Sequence, residues 1–291
     1  MKKILVTGGA GFIGSHLCEE LSKDKSNQIF SLDNYSSGST DNHIDGVTYI
    51  KGDTRDIEKS LDFVPDMIYH LGEYSRTSAS FKDPAKTWEL NTEGTFRVLE
   101  FARKNSIRIL YAGSSTKMAD GGDGRNQSPY AWTKATNTEL VQRYGEWFGL
   151  NYVIVYFYNV YGGREVEKGE YATFIGILKR KTRDKEKIQV VSPGTQMRSF
   201  THISDIVRGL ILAGQNGKGD GYCLGPKEMF TIMDVAKLFV GNDMEKIEMM
   251  EPLPGDRKTV SIDLSKTEEE LGWQAKIKLR EHIAEFLNSL K

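Results

Sequence analysis

A short apolar run that ends in closely spaced glycines constrains this chain more than any other feature. Residues 4–6 read ILV, and residues 7–14 read TGGAGFIG. A glycine turn between a buried strand and a helix lets the backbone approach a pyrophosphate, and the helix N-terminus offers it unpaired N–H groups. The spacing differs from the G-x-G-x-x-G form, so the inference depends on the strand and helix around it. We predict a dinucleotide site with contacts from Gly8, Gly11, Phe12, Ile13 and Gly14.

An acidic residue at the end of the next apolar run supports this prediction. Asp33 follows the run at residues 28–32. It lies about 20 residues beyond the glycines, where a carboxylate can accept hydrogen bonds from an adenosine ribose. An acid at this position favours NAD over NADP, so the expected cofactor is NAD.

Composition excludes several classes of function. The net charge is -1 with both signs spread along the chain, so we expect no nucleic-acid partner and no membrane partner. No apolar run approaches the ~20 residues that span a bilayer, and a core strand at the N-terminus leaves no room for a signal peptide. Cys18 and Cys223 have neither disulfide-framework nor zinc-ligand spacing. We expect a cytoplasmic protein with no metal site.

The order of the apolar segments predicts the fold. Strand-like runs alternate with helical segments, which is typical of a parallel sheet. These runs lie at residues 4–6, 29–32, 47–50, 67–70, 107–112 and 152–157. The predicted fold class is α/β: a Rossmann-type doubly wound parallel sheet with a smaller, discontinuous C-terminal substrate-binding lobe. The two longest helices are predicted at residues 85–104 and 129–148.

Looser patterning after Gly162 predicts the division into domains. A charged run at residues 179–187 and turns around Pro193 and Pro252 interrupt the alternation of strands and helices. We assign residues 1–162 and 196–214 to the NAD-binding domain, and residues 163–195 and 215–291 to the substrate-binding lobe.

One tyrosine–lysine pair has the spacing of a proton-transfer site. Lys134 follows Tyr130 by four residues, so the two side chains share one face of a helix. A free phenol has a pKa of about 10, and a nearby ammonium favours the phenolate, so Tyr130 is the expected base for a substrate hydroxyl. The preceding strand ends in hydroxyls at the sheet edge where ligands bind. Ser115 is the candidate for holding the same oxygen, with Ser114 as the alternative.

These motifs resemble the extended short-chain dehydrogenase/reductases, in particular the NAD-dependent epimerase/dehydratases that act on nucleotide sugars. The glycine turn has that family's form, and Ser115, Tyr130 and Lys134 fall on its catalytic trio. Asn91 with Gly94-Thr95 is similar to the family's N-x-x-G-T helix. The resemblance implies further cofactor contacts from Asn34, Asp53, Thr54, Leu71, Gly72, Tyr130 and Lys134.

The same resemblance implies a nucleotide-diphosphate sugar as substrate. The predicted substrate contacts are Glu73, Arg76, Ser114, Thr116, Asn159, Arg198 and Arg257. The resemblance also implies a homodimer, in which the helices at residues 85–104 and 129–148 pack against their copies.

Two segments depart from the family pattern. The family usually continues with two alanines after His70-Leu71, whereas this chain has Gly72 and Glu73 followed by Tyr74, Ser75 and Arg76, which puts charge near the expected nicotinamide. Dehydratases of the family place an acid pair directly after the catalytic hydroxyl residue, and this chain has Thr116 and Lys117 there.

The second departure favours one reaction over the others. A 4-epimerase needs only to oxidise C4, let the keto sugar turn in the pocket and return hydride to its other face, for which Ser115, Tyr130, Lys134 and NAD suffice. We therefore predict a nucleotide-sugar 4-epimerase similar to UDP-glucose 4-epimerases. The alternatives are a 4,6-dehydratase in which Lys117 is catalytic, a nucleotide-sugar reductase or dehydrogenase that uses free cofactor, and a non-catalytic nucleotide sensor.

Overall fold

The computed structural model describes residues 1–252 and 262–291. In chain order the strands are β1 (Lys2–Thr7), β2 (Asn27–Asp33), β3 (Val47–Lys51), β4 (Met67–His70), β5 (Arg108–Ser114), β6 (Tyr152–Phe157), β7 (Val160–Tyr161), β8 (Ile188–Val191), β9 (Met197–Arg198), β10 (Thr201–His202), β11 (Gly219–Leu224), β12 (Phe230–Thr231) and β13 (Ile247–Met250).

The helices lie between these strands and after them. They are α1 (Phe12–Ser22), α2 (Ile57–Ser60), α3 (Thr77–Lys82), α4 (Pro84–Trp88), α5 (Gly94–Lys104), α6 (Pro129–Phe148), α7 (Phe174–Arg183), α8 (Ile203–Asn216), α9 (Ile232–Val240), α10 (Ser265–Leu271) and α11 (Leu279–Ser289). Short 3-10 segments lie at Thr40–Asn42, Thr54–Asp56, Ser115–Asn126 and Met244–Lys246, and a π-helical turn lies at Glu89–Glu93.

Seven parallel strands form the main sheet in the order β11-β6-β5-β4-β1-β2-β3. Val98 and Leu99 of α5 are buried in the core on one face, and Ile206 and Leu210 of α8 are buried in the core on the other. Strands covered on both faces must be apolar on both faces, which explains why the six predicted runs are nearly continuous stretches of apolar residues. The doubly wound α/β prediction is confirmed.

The seventh strand differs from the predicted division into domains. We assigned residues 215–291 to the substrate lobe, whereas β11 pairs with β6 at the edge of the main sheet. Its sequence, GDGYCL, holds two glycines and an aspartate, so it lacks the apolar run by which a buried strand is recognised. Trp273 also packs in the core of this sheet.

A second apolar core lies outside the main sheet. It is formed by α7, β8, α9 and α11, and includes Leu178, Val190, Phe239 and Ile283. Three short pairings support it: β8 with β13, β9 with β12, and β7 with β10. The four elements that form this core, α7, β8, α9 and α11, lie within the residues that we assigned to the substrate lobe.

Local signals fix the two long helical segments. Ser128 accepts a hydrogen bond from the N–H of Ala131 at the start of α6, Pro129 occupies its first turn, and Gly149 ends it with a φ of 67°. The helix predicted at residues 85–104 is present, but the π-helical turn divides it into α4 and α5.

Among the residues that the structure describes, no helix is both long and apolar enough to cross a bilayer. In the same residues, no three His, Cys, Asp or Glu side chains are placed to hold a metal ion.

Candidate active site

A cavity of about 410 Å³ lies at the carboxyl ends of the central strands. Ligands bind at this edge in open α/β sheets, because the loops that follow the strands converge there. Most of the predicted site residues line the cavity: Gly8, Gly11, Phe12, Ile13, Gly14, Asp33, Asn34, Thr54, Leu71, Gly72, Glu73, Arg76, Ser114, Ser115, Thr116, Tyr130, Lys134 and Asn159. Motifs that are distant in the sequence therefore meet at one place.

Close backbone packing at the glycine turn excludes side chains. A Cβ atom on Gly14 would lie 2.1 Å from the carbonyl oxygen of Gly8, and one on Gly8 would lie 2.9 Å from the Cα atom of Gly72. Gly8 has a φ of 74°, a region that favours glycine. Gly11 is the N-cap of α1, so the unpaired N–H groups of the first helical turn adjoin the cavity. This cradle fits the pyrophosphate of a dinucleotide.

The backbone holds the Asp33 carboxylate at the end of β2. Oδ2 accepts a hydrogen bond from the N–H of Ala10 at 2.9 Å, and Oδ1 accepts one from the N–H of Tyr35 at 2.8 Å. Burial raises the pKa of this carboxyl group, and the two backbone hydrogen bonds oppose the rise. A carboxylate oxygen can accept more than one hydrogen bond, so ribose hydroxyls can still bind here.

Asp53 contacts a neighbour of the cavity instead of lining it. Its carboxylate accepts hydrogen bonds from Asn34 Nδ2 at 3.0 Å and from Arg55 Nε at 2.9 Å. Burial raises the pKa of Asp53, but the bonds from Arg55 and Asn34 outweigh burial and lower it overall. Asp53 thereby orients Asn34, which does line the cavity, and a direct contact of Asp53 with the cofactor stays a prediction.

Three hydroxyl groups meet where β5 ends and α6 begins. The phenol of Tyr130 donates a hydrogen bond to Ser114 Oγ at 3.3 Å, and Thr116 Oγ1 donates to the same atom at 2.9 Å. Ser115 also lines the cavity. We expected Ser115 to share a substrate oxygen with Tyr130, whereas the structure brings Ser114 into contact with Tyr130. A hydroxyl bound here can reach both Tyr130 and Ser114.

Lys134 is paired with a buried carboxylate. Its Nζ donates hydrogen bonds to Glu73 and to the backbone carbonyl of Ala112, and it lies 4.4 Å from the centre of the Tyr111 ring. The side chain of Glu73 is 3% exposed and that of Lys134 is 5% exposed. The carboxylate of Glu73 binds Lys134, because a buried charge requires a counterion. Glu73 also lines the cavity, and its contact with the substrate stays a prediction.

Further donors surround the Glu73 carboxylate. It accepts hydrogen bonds from Asn137 Nδ2 at 2.8 Å, from Thr95 Oγ1 at 3.0 Å and from the hydroxyl of Tyr111 at 3.1 Å. Burial raises the pKa of Glu73, but the charge of Lys134 and the hydrogen bonds from Lys134 and Asn137 oppose burial, and the pKa lies below its usual value. Glu73 is therefore a carboxylate at neutral pH.

A buried histidine connects this carboxylate to the strand that precedes the glycine turn. His70 Nε2 lies 3.0 Å from Thr95 Oγ1, and His70 Nδ1 lies 2.8 Å from Thr7 Oγ1. Burial lowers the pKa of His70 to about 4, with Glu73 opposing the shift and Lys134 adding to it. His70 is neutral at neutral pH, so the network carries one ion pair and no further charge.

One side-chain amide fastens the segment that carries Glu73. Asn91 Oδ1 accepts a hydrogen bond from the N–H of Tyr74 at 2.6 Å, and Asn91 Nδ2 donates to the carbonyl of Tyr74 at 3.0 Å. Asn91 is fully buried in the π-helical turn. The sequence offered a signal for the pairing of Lys134 with Glu73, since a lysine in a cavity wall needs a counterion and Glu73 was the acid expected nearby.

Arg76 and Asn159 lie in the cavity wall and are anchored to backbone carbonyls. Arg76 Nη2 donates to the carbonyl of Tyr171, and Nη1 donates to the carbonyl of Ser75 at 3.3 Å. Asn159 Nδ2 donates to the carbonyl of Ser199 at 2.8 Å. Both remain predicted substrate contacts.

Two other expected residues, Lys117 and Arg198, are not among those that line the cavity. Lys117 Nζ lies 3.8 Å from Asp220 Oδ2, because the carboxylate at the start of β11 supplies its counterion. Arg198 is buried, and its Nη1 donates to the carbonyl of Met197 at 2.9 Å. Arg257 lies outside the described residues.

Comparison with known proteins finds similarity along most of the chain. Residues 4–225 match the model of the NAD dependent epimerase/dehydratase family. The chain is 32% identical over 299 residues to UDP-glucuronic acid decarboxylase 6 of Arabidopsis thaliana, covering 96% of this chain and 86% of the relative.

Two solved structures are similar along nearly the whole chain. One is a UDP-glucose 4-epimerase of Thermotoga maritima with UDP-glucose, at 25% identity and a TM-score of 0.89, covering 99% of this chain and 100% of that one. The other is a UDP-glucose 4-epimerase of Thermus thermophilus in complex with NAD, at 25% identity and a TM-score of 0.89, covering 99% and 98%.

Proposed function

This chain belongs to the NAD-dependent epimerase/dehydratase family, and from that premise we propose that it is a nucleotide-sugar 4-epimerase. The UDP-glucose 4-epimerases among its structural neighbours support this reaction. In this reaction the sugar is oxidised at C4 and then reduced on the opposite face.

The residues of the cavity suit this chemistry. NAD, when bound, supplies a reversible hydride acceptor. The turn at residues 8–14 and the Asp33 carboxylate hold its pyrophosphate and ribose. Tyr130 removes the proton of the 4-hydroxyl and later returns it, Ser114 hydrogen-bonds the same oxygen, and Lys134 keeps a positive charge nearby.

The position of Lys117 is the observation that favours epimerisation over dehydration. A dehydratase needs an acid and a base that reach the carbons next to C4. Lys117 is paired with Asp220 and is absent from the cavity wall, and Glu73 is bound to Lys134. The side chain that contacts the phenol of Tyr130 is the hydroxyl of Ser114, which Thr116 contacts in turn.

The test is to incubate the purified protein, without added NAD, with UDP-, GDP- and dTDP-sugars and to follow the products by NMR. We expect a C4 epimer with no net NADH, because a tightly held cofactor is recycled. Tyr130→Phe is expected to lower kcat by roughly 10²- to 10⁴-fold. Tyr152→Phe is the matched control, since Tyr152 does not line the cavity.

Other products assign the alternatives. A 4-keto-6-deoxy sugar indicates a dehydratase, and an oxidised or reduced sugar formed with stoichiometric use of cofactor indicates a dehydrogenase or reductase. No turnover of any nucleotide sugar contradicts the proposed enzyme and favours a sensor.

The proposed assembly is a homodimer formed through α4, α5 and α6. Trp88, Phe96, Trp132 and Trp147 are 40–61% exposed on these helices. Large apolar side chains in water are typical of an interface. Light scattering at micromolar concentration is expected to give the mass of two chains, and a monomer contradicts the proposal.

We also propose that the enzyme acts in the cytoplasm, and that the core formed by α7, β8, α9 and α11 belongs to its substrate lobe.

A further inference from the structure

A guanidinium group that pairs with no carboxylate among the described residues lies in the cavity wall. Arg76 lines the cavity together with Tyr130 and Tyr171. Ser80 joins Arg76 to Tyr130, because its N–H donates to the carbonyl of Arg76 and its Oγ accepts a hydrogen bond from the N–H of Tyr130 at 3.2 Å. Burial lowers the pKa of Arg76, and the two phenol oxygens oppose that change. A guanidinium nevertheless keeps its charge at neutral pH. The cavity therefore presents a fixed cation beside Tyr130.

The donors of Arg76 are only partly used. Of its five N–H groups, Nη1 and Nη2 give one each to the carbonyls of Ser75 and Tyr171. The buried Nε has no acceptor among the described residues. Glu73, the acid closest in sequence, is bound to Lys134. A buried cation without a counterion is costly, so this site favours an anionic ligand.

The position of the Arg76 guanidinium in the cavity determines which part of a bound nucleotide sugar it contacts. This step rests on the proposed function, in which Tyr130 acts on the 4-hydroxyl of a pyranose. C5, which carries C6, is bonded to C4, whereas the diphosphate is attached at C1 on the opposite side of the ring. A cation next to Tyr130 therefore lies at the C3–C5 side of the ring, away from the diphosphate at C1. Of the substituents on that side, only a carboxyl group at C6 is anionic.

We infer that Arg76 binds the C6 carboxylate of the sugar, and that the substrate class is a nucleotide-linked hexuronic acid. The planar guanidinium pairs with both oxygens of a carboxylate, which a neutral hydroxymethyl group at C6 does not offer. Tyr171 holds the guanidinium from the segment that leads into α7.

This substrate class has a chemical consequence. Oxidation of a hexuronic acid at C4 produces a β-keto acid. Such an acid loses CO2 when the electrons of the C5–C6 bond move toward the ketone and C5 takes up a proton. The product is then a pentose derivative, whereas epimerisation keeps all six carbons. Decarboxylation and epimerisation both require the carboxylate to enter the cavity. The product therefore distinguishes the two reactions, whereas the preference for a hexuronic acid over a neutral sugar tests the carboxylate site at Arg76.

The experiment compares UDP-glucuronic acid with UDP-glucose, using the full-length protein with NAD. We expect the wild type to have at least a tenfold higher kcat/KM with UDP-glucuronic acid. Arg76→Met is expected to lower the ratio of the two kcat/KM values by about 10- to 100-fold, as for a hydrogen-bonded charge. Arg76→Lys, which keeps the charge but loses the planar pair, is expected to lower it less.

Matched controls separate binding from folding. Arg280→Met removes an exposed arginine of α11 and is expected to leave the ratio as in the wild type. Thermal melting and NAD titration of Arg76→Met show whether it folds. Should it fail to fold, the ratio measured for Arg76→Lys decides the question.

Three results overturn the inference. The first is a wild type with no preference for UDP-glucuronic acid. The second is an equal loss of kcat/KM for both substrates in Arg76→Met, as the loss of a diphosphate contact would give. The third is a ratio of the two kcat/KM values that does not change in either Arg76 variant. Turnover of UDP-glucose without a preference for the acid leaves the proposed epimerase standing. A pentose product with CO2 supports the carboxylate site and contradicts epimerisation. If nothing is turned over, calorimetric titration of both nucleotides in the presence of NAD decides the inference by the same ratio.

Discussion

The cofactor end of the cavity, at residues 8–14, is formed by main chain, whereas the end near residues 72–76 is formed by charged side chains. The glycine turn works through the absence of Cβ atoms and the presence of free N–H groups. The other end depends on buried charges whose partners come from distant elements. We expect substitutions at the first end to change cofactor affinity, and substitutions at the second to change stability and substrate choice.

The largest expected effect is at Glu73. Glu73→Ala leaves the ammonium of Lys134 buried without its counterion, which costs about 3–5 kcal/mol in the free energy of unfolding. Urea denaturation at pH 7 measures this loss. Glu58→Ala removes an exposed partner of Lys104 and is expected to cost at most about 1 kcal/mol. Equal losses in the two variants would show that the Glu73 pair adds nothing beyond a surface ion pair.

The next effect is a dependence of stability on pH through His70. Its pKa is about 4 in the folded protein against 6.5 in the unfolded chain, so the unfolded chain binds more protons between these values. Stability therefore falls as the pH falls from 6.5 toward 4, by up to about 3 kcal/mol from this group. His70→Gln is expected to remove that contribution.

Urea denaturation at pH 7 and pH 4.5 tests this dependence. His43→Gln, a histidine outside the network, serves as the control, since it is expected to keep the wild-type difference between the two pH values. If His70→Gln kept the full wild-type difference in the free energy of unfolding between pH 7 and pH 4.5, this would contradict the assignment of that difference to His70.

A smaller effect is expected at the glycine turn, and in a different property. Gly14→Ala places a Cβ 2.1 Å from the Gly8 carbonyl, and crowding of this kind costs about 1–3 kcal/mol. We expect NAD affinity to fall by roughly 10- to 100-fold. Gly163→Ala, whose Cβ would make an ordinary contact at 3.6 Å, is the control in the same titration. Unchanged NAD affinity in Gly14→Ala would contradict the role of this turn.

The smallest effect is expected at Lys117. Its partly exposed pair with Asp220 is worth at most about 1 kcal/mol, and its side chain does not reach the cavity. Lys117→Met is expected to change kcat by less than about threefold, which corresponds to under 1 kcal/mol in the activation free energy. Steady-state assays measure this change. A loss of roughly 100-fold or more would return Lys117 to a catalytic role, as the dehydratase alternative requires.

The sheet and the location of the cavity could be predicted because they follow from local patterns. Runs of apolar residues mark the strands, and parallel strands deliver their carboxyl ends to one edge. β11 could not be predicted, because a strand with two glycines forms only through its pairing with β6. This is a tertiary effect that local composition does not encode.

Local sequence patterns also could not predict which partners the charged residues bind. Lys134 and Glu73 are 61 positions apart, and Lys117 meets Asp220 from a strand that was not foreseen. Residue types and spacing identified which side chains carry chemistry. The side chains that each of them binds depend on how distant segments pack.

Asn91 holds the segment at residues 72–76 through both backbone groups of Tyr74. Both bonds involve main-chain atoms of Tyr74, so they do not depend on the side chains of the segment. The path of the main chain can therefore stay constant while the residues after Tyr74, Ser75 and Arg76, are exchanged, whereas Glu73 must stay because Lys134 depends on its charge. If Arg76 selects acidic sugars as we infer, exchanging these two residues in a relative with the same asparagine will transfer that preference.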